Sequence, residues 1–96
     1  MTTIATASIT AENTFTTAER LEGYFNLSIS GTWAATVTVQ RSIDNSTWVD
    51  VNTYTANSEG VGFEPEFMWY RVGVKTGAFT SGTVVVRLGR EDKDRH

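Results

Sequence analysis

The 96-residue sequence contains no cysteine, one proline, one histidine and three leucines. Without cysteine it has no disulfide, no thiolate metal ligand and no thiol nucleophile. The histidine is His96, the last residue of a charged segment, so serine and threonine hydroxyls have no well-held imidazole base. Leu21, Leu27 and Leu88 are too sparse, and apolar residues nowhere recur at i, i+3, i+4 and i+7, so amphipathic helices are not expected. No apolar run approaches the roughly 20 residues of a membrane-spanning helix. Eight Lys and Arg against eleven Asp and Glu leave a net charge of −3, the wrong sign for gripping nucleic acid or an anionic membrane. The opening MTTIATASIT carries neither the basic nor the apolar region of a secretory leader, and none is expected.

What is abundant is β-branched. Sixteen threonines and ten valines supply side chains that are stiff at χ1 and fit a pleated surface. Apolar residues make up 40% and charged residues 20%, a composition that folds, and the length fits one domain. Alternation with period two marks the strands. Phe25, Leu27 and Ile29 share a face, as do Val37 and Val39, with Thr36, Thr38 and Gln40 opposite. In the next strand Val49 and Val51 are assigned inward, against Trp48, Asp50, Asn52 and Tyr54. Tyr70, Val72 and Val74 point inward, opposite Arg71 and Lys75. Val84, Val86 and Leu88 do likewise, with Val85 and Arg87 outside. Weaker strands are expected near Ile4 to Ile9 and Thr14 to Thr17, and Ala18 to Gly23 reads as a turn.

Turn-forming residues cluster at Ser30-Gly31-Thr32, Asp44 to Thr47, Asn57 to Gly60 and Ser81-Gly82, a spacing near that of antiparallel sandwiches and barrels. Trp33 to Trp48 reads as a hairpin arm and its turn, and Thr76 to Thr83 as a second hairpin loop. Pro65 sits where it removes no ladder hydrogen bond. A sheet apolar on one face buries that face against another sheet. The expected fold is therefore an all-β antiparallel sandwich, Ig-like or jelly-roll-like, over residues 1–89. Residues 1–20 serve as an N-terminal arm or as edge strands, and residues 90–96 form a solvated charged tail.

Candidate chemistry is thin. Glu64 and Glu66 flank Pro65 with Glu59 nearby, yet carboxylates around a loop more often solvate it than catalyse. Asp44-Asn45-Ser46-Thr47 has the oxygens of half a calcium loop but lacks its Gly and distal Glu, and reads as a hairpin turn. Asn45-Ser46-Thr47 is also a glycosylation acceptor, uninformative without a secretory leader. No Gly-rich loop precedes a helix. The sequence therefore points to a non-enzyme with no catalytic residues, no cofactor and no metal.

Aromatic residues carry more information. Trp33, Trp48, Tyr54, Phe63 and Phe67 resist placement in one small core. Outward rings suit a protein interface, stacking on sugars, or cover of a sheet edge within the chain. A small sandwich with no disulfide or metal gains from oligomerisation.

The stretches Leu27 to Trp33, Val37 to Ser42, Asp44 to Val49, Trp69 to Gly77 and Ser81 to Val84 resemble small β-sandwich virion structural proteins of tailed bacteriophages. The likeness covers about Gly23 to Arg90. Some such proteins are capsid decoration, or cement, proteins that sit as trimers over junctions between capsomers. The resemblance implies a homotrimer on the outer capsid surface, made in the host cytoplasm, with the major capsid protein and itself as partners and no nucleic acid or membrane partner. It supplies no site residue. The rival readings are a glycan-binding or tail-fibre module, and a tail or head–tail connector component.

Overall fold

The computed structural model describes residues 2–90. The chain is all-β: β1 (Thr2–Ile9), β2 (Thr14–Phe15), β3 (Glu19–Ser42), β4 (Val49–Tyr54) and β5 (Ser58–Arg90). All pairings are antiparallel, and they join the strands into one sheet folded over on itself. The thinnest dimension of the Cα trace, 17 Å, accommodates two packed layers.

The long strands β3 and β5 each run through both layers. In the first layer β1 pairs with residues 84–90, which pair with 25–31, and residues 23–29 of the same leg pair with 58–64. In the second, β2 pairs with residues 69–74, which pair with 37–42, which pair with β4. Counting two legs of β3 and three of β5 gives eight runs in chain order, with layer orders 1-8-3-6 and 2-7-4-5. Two interlocked Greek keys of this kind make a jelly roll. Of the two sandwich types the sequence allows, the register selects this one.

Two facing glycines make the corner between the layers. At Gly31 (φ +102°) and Gly82 (φ +92°) the two long strands cross together, with Trp33 opposite Gly82 and Gly31 opposite Val84. A Cβ on Gly31 would lie 2.4 Å from the Thr83 carbonyl oxygen, and one on Gly82 would lie 2.3 Å from that of Thr32. Only glycine tolerates both the positive φ and this approach. Sequence reasoning reads these positions as chain reversals. They are bends within continuous strands, because the same glycine signal serves either purpose. Residues 79–83 accordingly pair with β3 and are not a hairpin loop.

The core joins both layers: Ile9, Leu27, Ile29, Val84, Val86 and Leu88 from one meet Val37, Val39, Tyr70, Val72 and Val74 from the other. These are the expected inward faces. Ala18 to Gly23 is not a turn: β3 starts at Glu19, and Leu21 opposite Met68 is buried. The β4 faces also differ from expectation. Register slips by one residue between Val39–Asn52 and Gln40–Asp50, leaving Val51 as a bulge that exchanges faces along the strand. Val49 and Val51 are exposed, and Tyr54, opposite Val37, packs against the core. β5 begins at Ser58, so Ser58 to Gly60 is strand and the reversal lies just before it. β1 and β2 are edge strands of the chain's own sheet and not a detached arm. Arg90 closes β5 opposite Phe25, while the rest of the expected tail, including His96, lies outside the described residues.

Candidate functional site

Glu64 is the one buried carboxylate among the described residues. Its Oε1 accepts hydrogen bonds from the Tyr70 hydroxyl at 2.7 Å and from Arg41 Nε and Nη2 at 3.2 and 2.9 Å, while Oε2 accepts from the Glu66 amide at 3.3 Å. Burial pushes its pKa up, but those donors outweigh burial and hold the carboxyl below its ordinary value. Tyr70 responds the other way: burial first, then the neighbouring carboxylate, raises its hydroxyl to about 12. Glu64 is thus an ionised acceptor spent on its own network. The expectation that Glu64 solvates a loop fails, because three residues, 65–67, oppose Glu22 alone between Met68–Leu21 and Glu64–Gly23, and this bulge turns the carboxylate under the chain. Glu66 stays exposed, so the two carboxylates do not converge as an acid–base pair.

Asp44 is likewise engaged. Oδ1 accepts from the Ser46 and Thr47 amides at 2.9 and 2.8 Å and from Ser42 Oγ at 2.9 Å. The Thr47 amide leads in lowering its pKa. This is an Asx-type closure of the β3–β4 hairpin, with Asn45 in the left-handed region at φ 60°. No group of three His, Cys, Asp or Glu side chains suited to a metal occurs among the described residues.

On the outer face of the second layer Arg71 lies between Phe15 and Trp48, its guanidinium carbon 4.3 Å from each ring centre. Arg71 Nε donates to Gln40 Oε1 (2.8 Å), Gln40 Nε2 to Asp50 Oδ1 (2.9 Å) and Lys75 Nζ to Asp50 Oδ2 (2.7 Å). Burial lowers the Arg71 pKa. This canopy explains why Thr38 and Gln40, on a face expected to be solvated, are buried. It fits over Gly73, where a Cβ would come within 2.2 Å of the Thr14 carbonyl oxygen and 2.7 Å of the Phe15 ring.

The five aromatic candidates therefore divide. Trp33 packs against the core and its Nε1 donates to Asn57 Oδ1 at 2.7 Å. Trp48 lies under Arg71. Tyr54 packs against the core and accepts from Asn52 Nδ2 at 3.2 Å. Trp48 and Tyr54 do not share a face, because the Val51 bulge separates them. Phe63 and Phe67 are exposed. The Phe63 ring centre is 4.8 Å from that of Tyr24, and Arg20 stands 4.6 Å over Phe67.

Tyr24 and Val61, opposite Phe63 and Asn26 respectively, extend that exposed surface and are absent from the candidates read from sequence. The alternation that puts Phe25 inside already puts Tyr24 outside, and Gly60 and Gly62 alternate with Val61 and Phe63. A second apolar surface surrounds a groove of about 420 Å³ at the hairpin end, where exposed Ile43 and Val49 stand beside Arg41, Asp44 and Met68. Among the described residues the arrangement offers exposed apolar surfaces, and the buried or loop carboxylates Glu64 and Asp44 are engaged by their own neighbours. Compared with protein-family models, curated proteins and solved structures, the chain gives no match.

Proposed function

We propose that this chain is a non-enzymatic virion structural protein of the tailed-phage kind, a capsid decoration (cement) protein that attaches to the outer shell as a homotrimer and reinforces it. The observation that carries the reading is the pair of exposed apolar surfaces on a stiff sandwich: Tyr24, Val61 and Phe63 on one strand pair, Ile43 and Val49 at the hairpin end. Soluble monomers rarely leave such patches uncovered without a partner. A decoration protein needs apolar surface for the shell as well as for contacts among its own copies, and repeated weak contacts then sum to firm attachment. The sequence resemblance supplies the virion setting.

The exposed ring pair also raises the glycan alternative. Its two rings are tilted by 55°, which favours insertion into a protein surface over a flat platform for sugars. Pelleting the purified protein with shells of the virus that carries it tests the proposal. Saturable co-sedimentation is expected. Protein left in the supernatant at every ratio, with tryptophan fluorescence changing on addition of oligosaccharides, would favour the glycan module instead.

A further inference from the structure

We propose that residues 58–64 of β5 join two copies of this chain across a two-fold axis, by antiparallel pairing of this strand with itself. Among the described residues this run pairs on one side alone, with residues 23–29 of β3, in an unbroken register from Glu64–Gly23 to Ser58–Ile29. Its other side leaves backbone N–H and C=O groups facing outward, and what satisfies such a row is another strand.

The remaining edges are shorter, interrupted or polar. β1 carries an irregularity between Thr3 and Ala5 and exposes Thr6 and Ser8 along its regular part, and β2 is two residues long. β4 has the Val51 bulge, an Asn52 side chain that takes the Thr53 amide, and the Asp50–Lys75 ion pair. Residues 58–64 have none of these devices: no bulge, no cation and no proline until Pro65 ends the run. Instead they expose Val61 (78%) and Phe63 (57%) beside Tyr24. A regular, apolar, open edge is a pairing surface unless something covers it.

The occupant follows from the strand's own pattern, Ser-Glu-Gly-Val-Gly-Phe-Glu, in which Val61 is flanked by a glycine on each side and Glu59 and Phe63 lie at equal distances from it. A two-fold through Val61 sets Val61 against its mate, with Phe63 diagonal to it, and the glycines at 60 and 62 meet on the inner side. Each Glu59 then faces Phe63 of the other copy, so like charges are not opposed. Glu59 is exposed and already accepts a hydrogen bond from Ser28 Oγ at 2.5 Å. Aromatic side chains bury about 150–250 Å² each. With Val61 and Phe63 more than half exposed on the pairing strand itself, both copies and the paired backbone together cover somewhat less than about 1,000 Å², the size of a weak contact.

A three-fold contact runs head to tail and does not set one strand against itself. The two-fold contact is therefore additional to the proposed trimer, and it tests separately. Native mass measurement over a concentration series compares wild type with Val61→Lys and with the control Val51→Lys on the blunted β4 edge. Wild type is expected to hold an even number of copies, Val61→Lys half that number, and Val51→Lys the wild-type number. Six falling to three supports this contact and the trimer, and two falling to one supports this contact alone. A wild-type count that is odd, or unchanged by Val61→Lys in protein whose circular dichroism is native, overturns the contact; three and three would leave the trimer standing.

Discussion

Replacing Glu64 with alanine removes the acceptor shared by Tyr70, Arg41 and the Glu66 amide. The Tyr70 hydroxyl is buried and loses its partner, and a buried donor left unsatisfied costs about 1–3 kcal/mol. Arg41 behaves differently. Its side chain is 40% exposed, so the guanidinium turns to water and its share is at most about 1 kcal/mol, well short of a fully buried pair. The expected loss is about 2–3 kcal/mol, or roughly 10–20 °C in melting temperature for a domain of this size. Thermal unfolding by circular dichroism reads it directly. Tyr70→Phe alone removes the donor with its hydrogen bond and is expected to cost about 1 kcal/mol. In the Tyr70→Phe background Glu64→Ala should then cost less, with a coupling of about 1–2 kcal/mol. Additive single and double variants, or a Glu64→Ala shift below about 3 °C, would refute the view that this network ties the hairpin end to the first layer.

Alkaline titration reports on the same network from Tyr70: with its folded pKa raised to about 12, its contribution to stability is full below about pH 10 and is lost as pH rises towards 12. Absorbance at 295 nm against denaturant midpoint should show this, and Tyr70→Phe should abolish it. Acid acts in the opposite sense. The Glu64, Asp50 and Asp44 carboxyls are held below their ordinary values, so stability is present above about pH 4 and falls as pH drops through the folded values. Stability flat from pH 5 to 2 would contradict these bonds. Gly73→Ala should push β2 away, because the new Cβ meets backbone at Thr14 and Phe15. The expected cost is about 2 kcal/mol or more, with faster amide exchange at Thr16, whose N–H bonds the Val72 carbonyl. Ile43→Glu should weaken attachment to shells about tenfold or more while leaving the melting temperature within a degree or two, since Ile43 is 82% exposed.

Much of the core was legible because period-two alternation needs no tertiary information. Val72 and Val74, and Val84, Val86 and Leu88, read inward from sequence and are fully buried. Where the reading failed, the missing information was non-local. Nothing in Trp48 to Tyr54 reveals the Val51 bulge, which exists through register with Val39 and Gln40, and one slipped residue exchanges the faces of Val49 and Tyr54. Gly31 and Gly82 signal positive φ, but whether the chain reverses or bends depends on their facing each other across two strands. Glu64 beside Pro65 reads as a loop acid, and its burial depends on Arg41 and Tyr70 arriving from the second layer. For the candidate surface, Phe63 and Phe67 were visible as misfits. Tyr24 and Val61 do not stand out in the sequence, since neither is unusual until register sets them beside Phe63 and along an open edge.

The central claim, that this chain works by adhering to a shell and strengthening it, meets its most direct test in calorimetry of virus shells with and without the bound protein. Saturating protein should raise the temperature at which the shell comes apart and leave that temperature unchanged for shells mixed with an unrelated small β-sandwich. An identical transition for bare and decorated shells would contradict the account.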